Sequence, residues 1–176
     1  MKEESLLLLS DLQKLINQVV LIDYTIIILG GVLMKRRYEK YRKYDVVYAD
    51  FGNNPHGVQS GIRPGVIVSC DRSNHEYAPQ VCIVPLSTKL KDNPVHVKLN
   101  PEDVKGYKLK AKSDFIPEDM QTVSKGKIRG KTGYIPKDSP VRDNIDRSLI
   151  LQLDLLSAAR KMIMEEVENG CENEEN

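Results

Sequence analysis

The amino-acid sequence predicts a mostly β fold, a small barrel of short strands with a C-terminal α-helix, preceded by a helical extension. Three observations predict it. From Tyr44 onward, short β-branched runs recur between Gly, Pro and Asn turn signals. The C-terminal third carries an apolar stripe at helical spacing. Residues 1–33 differ in composition from all that follows.

The strands follow in order. Val46-Val47-Tyr48-Ala49-Asp50-Phe51 reads as the first, followed by a polar loop from Gly52 to Arg63. Val66–Cys70 reads as a second strand, and Val81–Leu86 as a third with Pro85 near its end, where a missing ladder donor is tolerated. Val95-His96-Val97-Lys98-Leu99 alternates as a half-buried fourth strand, and Asp114-Phe115-Ile116 and Gly133-Tyr134-Ile135 are weaker candidates. Val141, Ile145, Leu149, Leu153, Leu156, Ala159 and Ile163 form the helical stripe, with Asp143 suited to the first-turn dipole. The domain boundaries read 1–40 for the extension, 41–168 for the barrel domain and 169–176 for a disordered acidic tail.

In the extension, Leu6–Leu9 lead into Leu12, Leu15, Ile16 and Val19 at helical spacing, then into the β-branched run Val20–Leu29. Three readings stay open. A membrane helix is disfavoured, because Asn17, Gln18 and Asp23 interrupt the span. The second is an extra helix packed on the domain or on a partner. In the third, translation starts at Met34, since codons for Gly30-Gly31 can spell a purine-rich ribosome-binding site ahead of it.

The chain has 176 residues with 26 Lys+Arg against 25 Asp+Glu, so any polyanion must be held by a local patch rather than by net charge. Cys70, Cys82 and Cys171 lack zinc-site spacing and a disulfide framework, which fits a reducing cytoplasm. Lys2-Glu3-Glu4 is the wrong charge pattern for a secretory leader. No clustered carboxylate or His set, P-loop or dinucleotide fingerprint is evident, so neither metal nor cofactor is expected.

Four stretches resemble the MazF/PemK toxin family, in that family's order. They are the strand Tyr44–Phe51; the signature Gln59-Ser60-Gly61-Ile62-Arg63-Pro64 entering an apolar strand; Val84-Pro85-Leu86-Ser87-Thr88-Lys89; and Met120-Gln121-Thr122-Val123-Ser124. The C-terminal amphipathic helix follows them. The resemblance implies an SH3-like barrel of the MazF/PemK/CcdB kind, working as a homodimer. It implies metal-independent cleavage of single-stranded RNA, often mRNA, to 2′,3′-cyclic phosphate and 5′-hydroxyl ends. It also implies inhibition by a cognate antitoxin peptide laid in the RNA groove. The family's essential Arg falls on Arg63, its Thr/Ser on Ser87 with Thr88 adjacent, and its Gln motif on Gln121. Val58, Met120 and Val123 stand where the family usually has Glu, an acid and Arg, which alters substrate contacts.

The chemistry suits these residue types. The RNA 2′-hydroxyl can attack its own phosphate, and a fixed guanidinium such as Arg63 can take the charge of the phosphorane. A guanidinium stays protonated, so it makes a poor general base. Ser87 can donate to the scissile phosphate. His56, in the loop before Arg63, has the right chemistry for acid–base work, though a solvated loop His is the plainer reading. Gln59, Gln121, Lys89, Lys125, Lys127 and Arg129 are the candidate RNA contacts, the basic run 124–131 being read as a flexible loop. His96 reads as structural. A non-catalytic member of the fold that binds RNA, antitoxin or DNA gyrase remains the alternative. Mass spectrometry of the native N-terminus separates the readings of the extension: peptides from residues 1–33 would eliminate a start at Met34.

Overall fold

The computed structural model describes residues 27–29, 32–34, 36–55, 57–106 and 109–172, with side chains described from residue 36 to residue 165. The chain forms two compact units, 1–39 and 40–176. In the first, β1 (Ile27–Leu29) pairs antiparallel with β2 (Val32–Met34). The extension was expected to be helical; over these residues it is a strand pair, in keeping with β-branched Ile27, Ile28 and Val32. The helical expectation for 1–26 lies outside the described residues.

The second unit is an antiparallel sheet in the order β6-β8-β5-β4-β3-β10-β7, with β9 also pairing β5. Its strands are β3 (Asp45–Asp50), β4 (Ile62–Ile67), β5 (Gln80–Ser87), β6 (Val97–Leu99), β7 (Lys105–Gly106), β8 (Ser113–Phe115), β9 (Gln121–Ser124) and β10 (Ile128–Tyr134). The sheet curls into a half-barrel because β5 serves two neighbours on one side. Its first half pairs β9 and its last two residues pair β8.

The central strands are apolar on both faces, so each pleat feeds a different core. Val46, Val66, Val84 and Leu86 enter one cluster with Leu99, Phe115, Ile135, Val141 and Ile145. Val47, Ala49, Ile67, Ile83 and Val123 enter the other with Tyr41 and Phe51. Between β4 and β5 the backbones approach closely at Gly65. A Cβ there would stand 2.5 Å from Ile83 Cγ2 and 2.9 Å from Val84 O.

Helix α1 (Pro140–Gln152) starts with Pro at its first position and a Ser139 cap, and buries Val141 and Ile145. The expected single helix breaks here. Asp154 adopts φ 51, and a second helix, α2 (Leu156–Glu172), begins beyond it. Leu153, Leu156 and Ile163, expected to share the buried stripe, are exposed. The acidic tail expected from 169 is helical as far as Glu172. The run 124–131, expected as a flexible loop, is instead the end of β9, a 3₁₀ turn at Lys125–Lys127 and the start of β10. Among the described residues no helix is long and apolar enough to cross a membrane.

Tyr44 ties α1 to the sheet. It sits at φ 70, its amide donates to Ile67 O, its hydroxyl donates to Asp146 at 2.6 Å, and Arg142 stacks on its ring at 4.3 Å. A second polar cluster joins β6 to β8. The Asp114 carboxylate, fully enclosed, accepts from Lys98 Nζ at 2.8 Å, from the Lys91 amide at 2.9 Å and from His96 Nδ1 at 2.9 Å. His96 Nε2 lies 2.8 Å from Glu118.

Two predictions follow from this packing. Gly65→Ala is expected to cost about 1–3 kcal/mol through overpacking against Ile83; an unchanged urea midpoint would refute the close approach. Burial pushes the Asp114 carboxyl up, but Lys98, the Lys91 amide and His96 together hold it below its ordinary value of 3.8. A carboxyl lowered on folding adds stability above its unfolded pKa, and that stability disappears as the pH falls through the folded value. Wild-type stability should therefore fall more steeply than that of Asp114→Asn on acidification below about pH 4, measured by urea midpoints. Parallel curves would remove Asp114 from the acid transition.

Candidate active site at the loop-to-strand junction

The polar loop after β3 is tightly closed. Gly61 (φ 75) donates to Gly52 O at 2.7 Å and accepts from the Phe51 amide at 3.1 Å, and Asp50 Oδ1 accepts from the Gly52 amide. That bond, with Arg129 beside it, holds the Asp50 carboxyl below its ordinary value. Asn54 Nδ2 spans the loop interior, donating to Phe51 O at 3.1 Å and Gln59 O at 2.7 Å. The loop thus folds back on itself and delivers Arg63 at the second residue of β4.

Arg63 is half-buried. Its Nε donates to Ser60 O at 2.8 Å, one Nη donates to the same carbonyl, and the other Nη donates to Gln59 Oε1. The guanidinium carries more donors than these bonds use. Gln59 is itself held from outside the loop. Its amide donates to Asp119 Oδ2 at 3.1 Å and its carbonyl accepts from Gln121 Nε2 at 3.4 Å. Arg63, Gln59 and Gln121, read separately from the sequence, therefore belong to one hydrogen-bonded group.

Register relates Ser87 to Arg63. Gly65 faces Pro85 and Val66 faces Val84, so Arg63 and Ser87 each lie two residues beyond the last pair of the β4–β5 ladder. Arg63, Ser87 and Gln121 occupy the alternate positions that on β4, β5 and β9 also carry Ile67, Ile83 and Val123. Arg63 lies at the start of β4 and Ser87 at the end of β5, while Gln121 opens β9 opposite Ile83, four residues along β5 from Ser87. Ser87 is buried, and its Oγ accepts from the Lys89 amide at 3.2 Å, which bends the chain away from β5. Thr88 and Lys89 are exposed beside it.

The remaining candidates separate. Arg129 is exposed and pairs with Asp50 at 3.2 Å, at the base of the loop; Lys127 is exposed nearby. Lys125 is not a surface contact as expected. It is buried, and its Nζ donates to the carbonyls of Asn74 and His75 at 3.0 and 2.8 Å, which fastens the turn after β9 to the loop after β4. His56 lies outside the described residues. Among the described residues no group of three or more His, Cys, Asp or Glu side chains could hold a metal.

The sequence reading missed Asp119 and Asn54, two of the side chains that hold Gln59. Asp119 lies sixty positions from its partner, with nothing local to mark the pairing. It also missed the Asp114 cluster. A carboxylate flanked by Ser113 and the apolar pair Phe115-Ile116 was the available signal, since a buried charge requires partners.

Comparison with known proteins places the fold and the family. Residues 42–153 match the family model described as PemK-like, MazF-like toxin of type II toxin-antitoxin system. The Endoribonuclease MazF of Staphylococcus saprophyticus is 31% identical over 112 residues, which cover 61% of this chain and 90% of that protein. The crystal structure of MazF from Deinococcus radiodurans has a TM-score of 0.54 at 17% identity, over 66% of this chain and 98% of that one. An endoribonuclease in complex with its cognate antitoxin, from Mycobacterial species, has a TM-score of 0.52 at 21% identity, over 65% and 96% of the two chains. At these identities the solved structures speak for the half-barrel with C-terminal helices. The family match covers most of the domain, from before β3 to the end of α1, and on it this chain belongs to the PemK-like, MazF-like toxins of type II toxin–antitoxin systems.

Proposed function

We propose that the chain is a toxin acting as a metal-independent endoribonuclease on single-stranded RNA. The observation that carries this reading is the hydrogen-bonded group of Arg63, Gln59 and Gln121, with Ser87 closing the strand that neighbours β4. In the proposed reaction the RNA 2′-oxygen bonds to phosphorus and the bond from phosphorus to the 5′-oxygen breaks. The 2′-hydroxyl loses its proton to a base, and the departing 5′-oxygen receives one. The products are a 2′,3′-cyclic phosphate and a 5′-hydroxyl. Arg63 takes the charge that builds on the phosphorane oxygens. A phosphate can displace neutral carbonyls from Arg63, because charge-assisted bonds are the stronger kind. Ser87 shapes the strand end, and Thr88, exposed next to it, can donate to the phosphate. His56 is the candidate acid–base group of the loop. Gln59 and Gln121 lie where a base would be read, and Lys89, Lys127 and Arg129 are placed to follow the backbone. The working form proposed is a cytoplasmic homodimer, with a cognate antitoxin peptide in its RNA groove.

A second reading is a binding member of the fold that does not cut. It is favoured by the engagement of Arg63 with its own loop, and by Val58, Met120 and Val123 at positions where the family usually has polar contacts.

The deciding experiment is cleavage of long single-stranded RNA by the purified chain in excess EDTA. Discrete cuts ending in 2′,3′-cyclic phosphate are expected, with Arg63→Ala slower by about 10²–10³-fold. Folded wild-type protein that leaves RNAs of many sequences intact would favour the binding reading. Lys89→Ala is expected to weaken RNA binding evenly across sequences and to lower the salt slope by about one; an unchanged slope would take Lys89 off the RNA path.

A further inference from the structure

The two arms of the candidate site are separate in sequence, yet one short turn holds both. The 3₁₀ turn Pro117–Asp119 follows β8. Through Asp119 it accepts the Gln59 amide, and Gln59 in turn meets Arg63. Through Glu118 it meets His96 Nε2 at 2.8 and 3.0 Å. The opposite ring nitrogen of His96 meets Asp114 at 2.9 Å. Asp114 accepts the Lys91 amide, and Lys98, paired with Asp114, donates to the Lys91 carbonyl. The exposed segment leaving Ser87 is therefore pinned at Lys91 through both its backbone N–H and its carbonyl. The imidazole that completes the chain of contacts is fully enclosed.

We propose that His96 is a positioning residue that couples the Arg63 loop to the Ser87–Lys91 segment through the Pro117–Asp119 turn; the catalytic part of this rests on the nuclease reading above. The geometry suits histidine alone among neutral-sized side chains. An imidazole presents a ring nitrogen in each of two opposed directions, whereas an amide presents its nitrogen at one end only. Asp114 and Glu118 occupy those two directions. A rigid link of this kind matters because both arms must meet one phosphate, and misplacement by about 1 Å can cost about 10²-fold in rate.

The test uses the full chain and two readouts. The first is amide hydrogen exchange in the free protein. His96→Gln is expected to speed exchange at Lys91 and Gln59 by about tenfold or more, while Val66 and Val84 in the core stay as protected as in the wild type. The second is cleavage of single-stranded RNA in excess EDTA. There kcat is expected to fall about 10–100-fold with KM within about twofold. Glu118→Ala, at the partly exposed end of the link, is expected to reproduce both effects. Glu118→Gln keeps an acceptor for Nε2 and should restore most of the loss. This pair decides the matter if His96→Gln fails to fold. Unchanged exchange at Lys91 and Gln59, or a loss spread evenly over the core amides, would overturn the coupling. So would full kcat in folded His96→Gln and Glu118→Ala. If the wild type cuts no RNA, the nuclease reading fails, and the exchange data still decide whether His96 couples the two arms.

Discussion

The close approach of β4 to β5 at Gly65 is the constraint on which the rest of this domain depends. With no Cβ in the way, the two backbones come together, and Gly65 faces Pro85 in a fixed register. Because side chains alternate across a strand, a slip of one residue would exchange the two cores. Val66 and Val84 would leave one cluster, and Ile67 and Ile83 the other. The same register leaves Arg63 and Ser87 each two residues beyond the last pair of this ladder. A packing requirement in the middle of the sheet thus decides the spacing of polar groups at its end.

The ends of these strands are held by polar bonds rather than by apolar burial. The loop before β4 is closed by Gly52, Gly61 and Asn54, and its position against β9 is decided by Asp119 and Gln121. The segment after β5 is held by Ser87, Asp114 and Lys98. Hydrogen bonds of this kind are directional, and leaving a buried carboxylate such as Asp114 unpaired would be costly. They fix a main-chain path that would otherwise be free to move, which is what a site for a charged polymer requires. The basic residues around it are divided in role. Arg129 and Lys131 lie along β10, each within reach of an Asp on β3, and Lys125 is committed to the interior. With a net charge of +1, the chain as a whole offers little field to a polyanion, so any such ligand must be held by a local patch.

The sequence by itself determined the fold class and the order of the landmarks. Short β-branched runs between turn residues located β3 and β5, and period-two alternation located β6, whereas β4 begins at Ile62, four residues before the expected second strand, so that Arg63 lies in the strand rather than in the loop. The Arg63-Pro64 junction and the Ser87 strand end were legible from local residues, as was the helical stripe that opens at Val141. Tertiary structure alone decided the rest. The helical stripe from Val141 to Ile163 has one period, but only its first half has a sheet to cover, and the chain breaks at Asp154 once that surface ends. Lys125 sits in a run of basic residues that reads as a solvated loop, yet the carbonyls of Asn74 and His75 draw it inward. Asp119 meets Gln59 across sixty positions, and His96 meets both Asp114 and Glu118 only because β6 lies beside β8. Such pairings depend on which strands become neighbours, a property of the folded sheet that no local pattern of residues encodes.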